Sequence, residues 1–288
     1  MLAAVDGDEV CYRLAYKYQD TRYNIKKDGV ITVSCSTKQD AMEMIGCEDG
    51  YEIEKDVVPL GIFTLKEDLD SLLKSIMEAT KCDEYIIMLN GSDIFRYKLA
   101  TLLPYKGERS NDDKPYYLQI IKDFIKESYI YKEVDYLESD DLLSIEGYNN
   151  SNVVVCSTDK DLRTVPLTNF NIMKWELKII SEKEARYNFY TQLMIGDSTD
   201  NIPSPYLLGE KTAERLLKEL YDNDASDREY YQKVLEEYPK FLKAKDKEGN
   251  YKTKWYSNQP VENILYEVAN LLWMKRSLEN KLEWEAPK

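Results

Sequence analysis

The chain has 288 residues, enough for one large domain or two modest ones, with 43% hydrophobic and 32% charged residues, an ordinary soluble composition. It contains no histidine and five scattered cysteines with no CxxC pair, which excludes Cys/His zinc sites and imidazole triads and argues against a disulfide scaffold. A net charge of −14 argues against nucleic-acid binding, unless the acids are gathered where divalent cations return positive charge.

In chain order, "MLAAVDGDEV" predicts a short apolar strand ending at Asp6-Gly7-Asp8, then a helix over 9–18. The early acids and the missing basic stretch do not fit a signal peptide, so a cytoplasmic protein is expected. Residues 23–58 carry a Lys-Asp-Gly turn ahead of a Val/Ile/Thr alternation, the pattern of an inserted hairpin. "LKEDLDSLLKSIMEATKC" places Leu65, Leu69, Leu72, Leu73 and Ile76 on one helix face. "CDEYIIMLNGSD" predicts a second strand, followed by the basic, aromatic "FRYKLATLLPYKGERS", interrupted at Pro104, and the amphipathic helix "KPYYLQIIKDFIKES". "YIYKEVDYLESDDLLSIEGY" reads as a brief strand and another helix, and "NVVVCSTDKDLRTV" as a buried strand running into acids. A weaker strand or hairpin is expected at "FNIMKWELKIIS", and helices over 182–196, 210–221, 228–245 and 260–277. No apolar run approaches the roughly 20 residues of a membrane span, so no membrane is expected as partner.

Strands alternating with helices over 1–180 predict a parallel α/β core, with a helical part over 181–288. Ligands of such sheets gather at the carboxyl ends of the strands, where Asp6 and Asp8, Asn90 to Asp93, and Asp159 and Asp161 stand. Glu138, Asp140 and Asp141 open a helix, and "MIGDSTDNIP" sets Asp197 and Asp200 three apart before a Pro-interrupted loop. Singly, each group also fits a cap, a turn or a solvated helix end. Converging, they could not all stay charged. Two like charges ~5 Å apart repel by about 3 kcal/mol at an effective dielectric near 20. Bound cations or protons must relieve that repulsion, and an all-oxygen set favours Mg²⁺ or Mn²⁺. Two such ions can clamp the attacking and leaving oxygens of a phosphodiester without any histidine.

In this order along the chain, "VDGD", "FRYKLATLLPYKGER", "ESDD", "STDKD" and "GDSTDNIPSPYLLGEKTAERLL" resemble the motifs of the 5′-nuclease superfamily, in its phage and bacterial 5′→3′ exonuclease and flap-endonuclease group. The resemblance implies a PIN-like α/β nuclease core over 1–180, with a gateway or arch near 95–127, and a helix–turn–helix-type DNA clamp from 181. It implies Mg²⁺-dependent hydrolysis of DNA to 5′-phosphate products in replication or recombination, with Mn²⁺ as a substitute. Asp6, Glu138, Asp140, Asp141, Asp159, Asp161, Asp197 and Asp200 would hold two or more ions, with Asp8 as a helper. Lys106 and Arg109 would grip the scissile phosphate, on one face if "PYKGER" is helical, with Arg96 as a further phosphate contact and Tyr105 stacking on a base. Gly209, Lys211 and Thr212 would hold duplex DNA in the clamp, whose turn would take a K⁺ ion. The partner would be duplex DNA with a 5′ end or flap, bound by a monomer, in the host bacterial cytoplasm if the chain is phage-encoded.

The sequence departs from the family pattern in three places. Asn90 or a shifted Asp93 stands where an Asp is usual, Leu207-Leu208-Gly209 replaces Gly-apolar-Gly, and the segment after Arg109 is short. Two other readings stay open: a structure-specific DNA-binding protein whose catalytic site has degraded, and a haloacid-dehalogenase-type phosphatase using "VDGDEV".

Overall fold

The computed structural model describes residues 1–46, 49–108, 114–256, 258–279 and 282–288. Contacts divide the chain into two units: Met1–Gly7, Ser75–Ser110 and Ile130–Lys288 form the first, Asp8–Lys74 and Asn111–Tyr129 the second. The boundary expected at residue 180 is therefore not where contacts thin out. The helices after it share a unit with the parallel sheet, and the inserted segment lies in the other.

The first unit is built on a six-stranded sheet. Its strands are β1 (Leu2–Asp6), β5 (Glu84–Asn90), β6 (Tyr131–Val134), β7 (Val153–Cys156), β8 (Thr168–Asn171) and β9 (Glu176–Ile179), in the order β6-β5-β1-β7-β8-β9. All neighbours are parallel except β8 and β9, which form the expected hairpin. β1 and β7 lie at the centre and are buried along almost their whole length, which is why "LAAV" and "VVVC" are continuous apolar runs rather than alternations. Asp6 sits opposite Met88 and Val5 opposite Cys156, so the carboxyl ends of three strands meet on either side of β1. Strand order reverses there, and a ligand crevice opens at such a point. Gly7, the first residue of α1 (Gly7–Lys17), permits the close approach: a Cβ would stand 2.5 Å from both Ile87 Cγ2 and the Met88 carbonyl oxygen.

Helix α6 (Ser139–Asn149) contacts β1, β5 and β7 through buried Leu142, Leu143 and Ile145. Helices α7 (Glu182–Ile195), α8 (Glu210–Asp222), α9 (Asp227–Leu242) and α10 (Val261–Leu272) enclose a second core containing Phe189, Leu193, Leu217, Val234, Leu265 and Trp284. Ser181 and Ser226 open α7 and α9 with reciprocal capping boxes to Glu184 and Glu229. The last helix stops at Leu272, five residues short of the expected end.

The second unit holds an antiparallel sheet, β3 (Val30–Cys35), β2 (Gln19–Lys27) and β4 (Tyr51–Pro59), in the order β3-β2-β4. The expected hairpin thus has a third strand, with α2 (Lys38–Ile45) between β3 and β4. Helix α5 (Leu118–Ser128) belongs here, as does most of α3 (Leu65–Thr80); of the predicted face, Leu65, Leu69, Leu73 and Ile76 are buried and Leu72 is half-buried. Among the described residues, no helix is long and apolar enough to cross a membrane.

Candidate active site

Four segments bring carboxylates to the carboxyl edge of the parallel sheet. Asp6 ends β1; Glu138 and Asp140 lie at the start of α6; Asp159 and Asp161 follow β7; Asp197 and Asp200 follow α7. Asp140 is held above the ordinary carboxylate range by burial and then by the nearby charges of Asp159, Asp6 and Glu138. Burial raises Asp159 too, with Asp200 and Asp197 adding to it. Asp161 rises to about 7 through burial and the neighbouring Asp159 and Asp197. Seven of the eight predicted acids are thus linked, neighbour to neighbour, by electrostatic interactions.

Several are already engaged by the chain. Ser157 donates to Asp6 Oδ2 at 2.9 Å and accepts from the Asp159 amide at 3.1 Å, joining two acids through one hydroxyl. Gln192 of α7 donates to Asp161 at 2.5 Å. Lys106 Nζ lies 2.5 Å from Glu138 Oε1 and 3.7 Å from Asp200 Oδ2, and Lys160 Nζ lies 2.8 Å from Asp197 Oδ2. Burial alone would push Glu138 up, but Arg96 and Lys106 overcome it and hold the group below its usual value. No three acids among the described residues stand together in a ready-made cage for a metal ion.

One observation fits a metal directly. Asp140 Oδ1 is buried and has no hydrogen-bond partner. Buried polar atoms are nearly always satisfied, and an orphan carboxylate oxygen among other carboxylates is a natural position for a cation. The donor set is all oxygen, which suits hard divalent ions.

Asp141, Arg96 and Tyr105 differ from expectation. Asp141 is fully buried and faces Arg96, whose Nη1 and Nη2 donate to its two oxygens at 2.5 and 2.8 Å. The Glu138 amide closes a capping box onto the same carboxylate. Arg96, 1% exposed, directs its remaining N–H groups to Glu138 and to the carbonyls of Leu271 and Trp273 at the end of α10. It has no donor left for a phosphate. Tyr105 is 5% exposed, and its hydroxyl lies 2.9 Å from both Glu138 Oε2 and Asp200 Oδ2, so it binds acids instead of stacking on a base. The aromatic ring at the surface is Tyr97, 57% exposed and edge-on to Tyr105.

The segment around Lys106 is a turn, because α4 (Phe95–Leu99) ends before Pro104. Lys106 takes a left-handed backbone (φ 53°), and its amide donates to the Asp200 carbonyl at 2.8 Å. Arg109 lies outside the described residues. Asp197 and Asp200 lie past the helix: Gly196 ends α7 with φ 63°, and paired backbone bonds between Asp197 and Ile202 close a tight loop. A Cβ on Gly196 would stand 2.4 Å from the Ile202 carbonyl.

Asn90 uses its side-chain oxygen to accept from the Ser139 amide at 2.6 Å, fixing the first turn of α6. Asp8 belongs to the second unit, where it pairs with Lys122. Past the loop, Leu207 is 69% exposed and takes the left-handed position (φ 61°) of the turn before Gly209, the residue preceding α8. Lys211 is exposed in the first turn of that helix, and the Thr212 amide is bonded to the Gly209 carbonyl.

A mainly parallel sheet with carboxylates at its carboxyl edge, followed by helices α7 to α10, is a fold also seen in solved 5′-nuclease structures. Over 94% of its length the chain is similar to bacteriophage T5 flap endonuclease in a pseudo-enzyme–product complex with DNA and metal ions (14% identity, TM-score 0.56, 88% of that chain). It is also similar to T5 5′-exonuclease with zinc ions bound (14% identity, TM-score 0.55, 88% of that chain) and to a mutant of the same exonuclease (14% identity, TM-score 0.53, 86% of that chain). At this identity the likeness is one of fold. No protein-family model matches the chain, and no curated protein does.

Proposed function

We propose that the chain is a divalent-metal-dependent 5′→3′ exodeoxyribonuclease, able to remove 5′ flaps, that hydrolyses DNA to 5′-phosphate products in replication or recombination. It would act as a monomer with Mg²⁺ or, in its place, Mn²⁺, and take K⁺ in the clamp turn. The observation that carries the reading is the orphan Oδ1 of Asp140 beside Asp159, Asp6 and Glu138 at a strand-order switch. Asp6, Glu138, Asp140, Asp159, Asp161, Asp197 and Asp200 would hold two or more ions. Asp141 would act from behind, through Arg96.

A divalent cation bound there supplies Lewis-acid stabilisation of phosphoryl oxygens and lowers the pKa of an attacking water. The chain's own groups set the stage. Arg96 and Asp141 orient Glu138, Asn90 holds the first turn of α6, and Ser157 fixes Asp6 against Asp159. Lys106 brings positive charge to the rim, and Gly209, Lys211 and Thr212 present the start of α8 to a duplex phosphate.

The test is cleavage of labelled linear duplex and 5′-flap DNA with Mg²⁺, Mn²⁺ or EDTA. Metal-dependent 5′-phosphorylated products support the reading, and their lengths separate trimming from flap removal. A retained gel shift without product would instead favour a binder, a reading consistent with an Asn90 committed to capping α6.

A further inference from the structure

The proposed reaction leaves one cation of the site without a role. Lys160 stands between Asp159 and Asp161 in "STDKD", and its ammonium lies 2.8 Å from Asp197 Oδ2. The two partners are unequally placed: the Lys160 side chain is 55% exposed, whereas that of Asp197 is 2% exposed. Asp197 is further held by its own loop, since its Oδ1 accepts from the Thr199 amide at 2.8 Å and its backbone pairs with Ile202. The carboxylate is therefore fixed and the lysine is the mobile half of the pair. A long ammonium arm with its stem in water can leave Asp197 without disturbing the core.

From this geometry we infer that Lys160 is a stand-in cation that exchanges with metal. Without metal it neutralises Asp197; when a divalent ion takes that carboxylate, the ammonium is released toward solvent at the mouth of the site and binds a phosphate oxygen of the nucleic-acid strand. The inference rests on the metal reading above and deepens it. Its consequence is a linkage: metal raises affinity for DNA by more than charge neutralisation alone, because it frees a phosphate-binding group. By reciprocity DNA raises affinity for metal by the same factor.

The experiment compares wild type with Lys160→Met, and with Lys160→Arg as the conservative control. One measurement is the Mg²⁺ concentration that gives half of the full rise in melting temperature. The other is affinity for a fluorescein-labelled 5′-flap duplex in Ca²⁺ and in EDTA. Lys160→Met should need less Mg²⁺, since no ammonium has to be displaced. It should lose roughly five- to tenfold of DNA affinity in Ca²⁺ and change little in EDTA. Lys160→Arg should stay near wild type in both. An unchanged Mg²⁺ midpoint together with unchanged DNA binding overturns the inference and makes Lys160 a solvated surface charge. Equal loss of DNA affinity in Ca²⁺ and EDTA also overturns it, as a contact made regardless of metal. If wild type itself shows neither a Mg²⁺-dependent rise nor Ca²⁺-dependent binding, the metal reading falls and the exchange falls with it.

Discussion

Arg96 and Asp141 form a bidentate ion pair closed off from water, with Nη1 and Nη2 at 2.5 and 2.8 Å from the two carboxylate oxygens. The guanidinium also donates to the Leu271 and Trp273 carbonyls, where helix α10 ends and its last carbonyls would otherwise lack partners. One side chain thus connects the start of α6, which carries Glu138 and Asp140, to the C-terminal helices. Arg96→Met strands the Asp141 charge in the core and should cost about 3–5 kcal/mol in urea unfolding. Arg96→Met combined with Asp141→Leu should recover only the part of that loss due to the stranded Asp141 charge, because Glu138 and the Leu271 and Trp273 carbonyls still lack their donor. A double variant as unstable as the single would show that the pair's effect lies elsewhere.

Metal-free stability should fall as pH rises through the neutral range. Asp140, Asp159 and Asp161 have folded values raised above their unfolded ones, so the folded state keeps protons that the unfolded state has lost. The contribution of Asp161 is complete below its unfolded value of 3.8 and disappears as pH climbs through about 7, its folded value, and those of Asp140 and Asp159 are lost in the same direction. Glu138 has the opposite sign: its depressed value adds stability above 4.5 that is lost toward acid. Denaturation in EDTA should therefore give a lower midpoint at about pH 7.5 than at about pH 5, and Mg²⁺ should remove the difference. A midpoint that rises with pH in EDTA would mean that the acids are not crowded in solution.

The acids were legible and their neighbours were not, for a physical reason. "NVVVCSTDKD" shows a buried strand handing over to carboxylates, and such an end can be located by period and polarity alone. Arg96 and Tyr105 sit in a basic, aromatic segment that looks solvent-facing, yet both are buried. What buries them lies 33 to 175 positions away: Glu138 for Tyr105, Asp141 and Leu271 for Arg96. Local pattern carries no information at that range. Asp197 and Asp200 were found at the right spacing but read in the context of a helix end; the left-handed Gly196 converts that spacing into a closed loop. Asn90 looked like a missing ligand because its cap partner, Ser139, is 49 residues on.

Asn90→Asp tests whether that position can serve both purposes. The new carboxylate can still accept from the Ser139 amide, and a negative charge at the start of α6 suits the helix. It also adds a charge to a site that already repels itself. The variant should melt lower than wild type in EDTA and gain more from Mg²⁺, and Asn90→Leu, which loses the bond to the Ser139 amide without adding charge, should drop by at least about 1 kcal/mol with an unchanged Mg²⁺ midpoint. Calorimetric titration of Mg²⁺ with thermal melts separates these; equal Mg²⁺ response in Asn90→Asp and wild type would place residue 90 outside the ion's reach.

On the proposed reading, chemistry and grip should separate between the sheet edge and the start of α8. Asp159 is one of the crowded acids, whereas Lys211 stands exposed in the first turn of α8. Asp159→Ala removes an acid from the site and relieves repulsion, so it should abolish Mg²⁺-dependent cleavage and leave flap-duplex binding in Ca²⁺ within about twofold. On the proposed reading, Lys211→Ala removes a single phosphate contact. It should weaken binding to every sequence alike and reduce the slope of log affinity against log salt by about one. Filter binding across a salt series reads both effects. If Asp159→Ala weakens Ca²⁺-supported binding as much as Lys211→Ala does, the carboxylates hold DNA through their ions, and the division between cutting edge and clamp gives way to a shared binding surface.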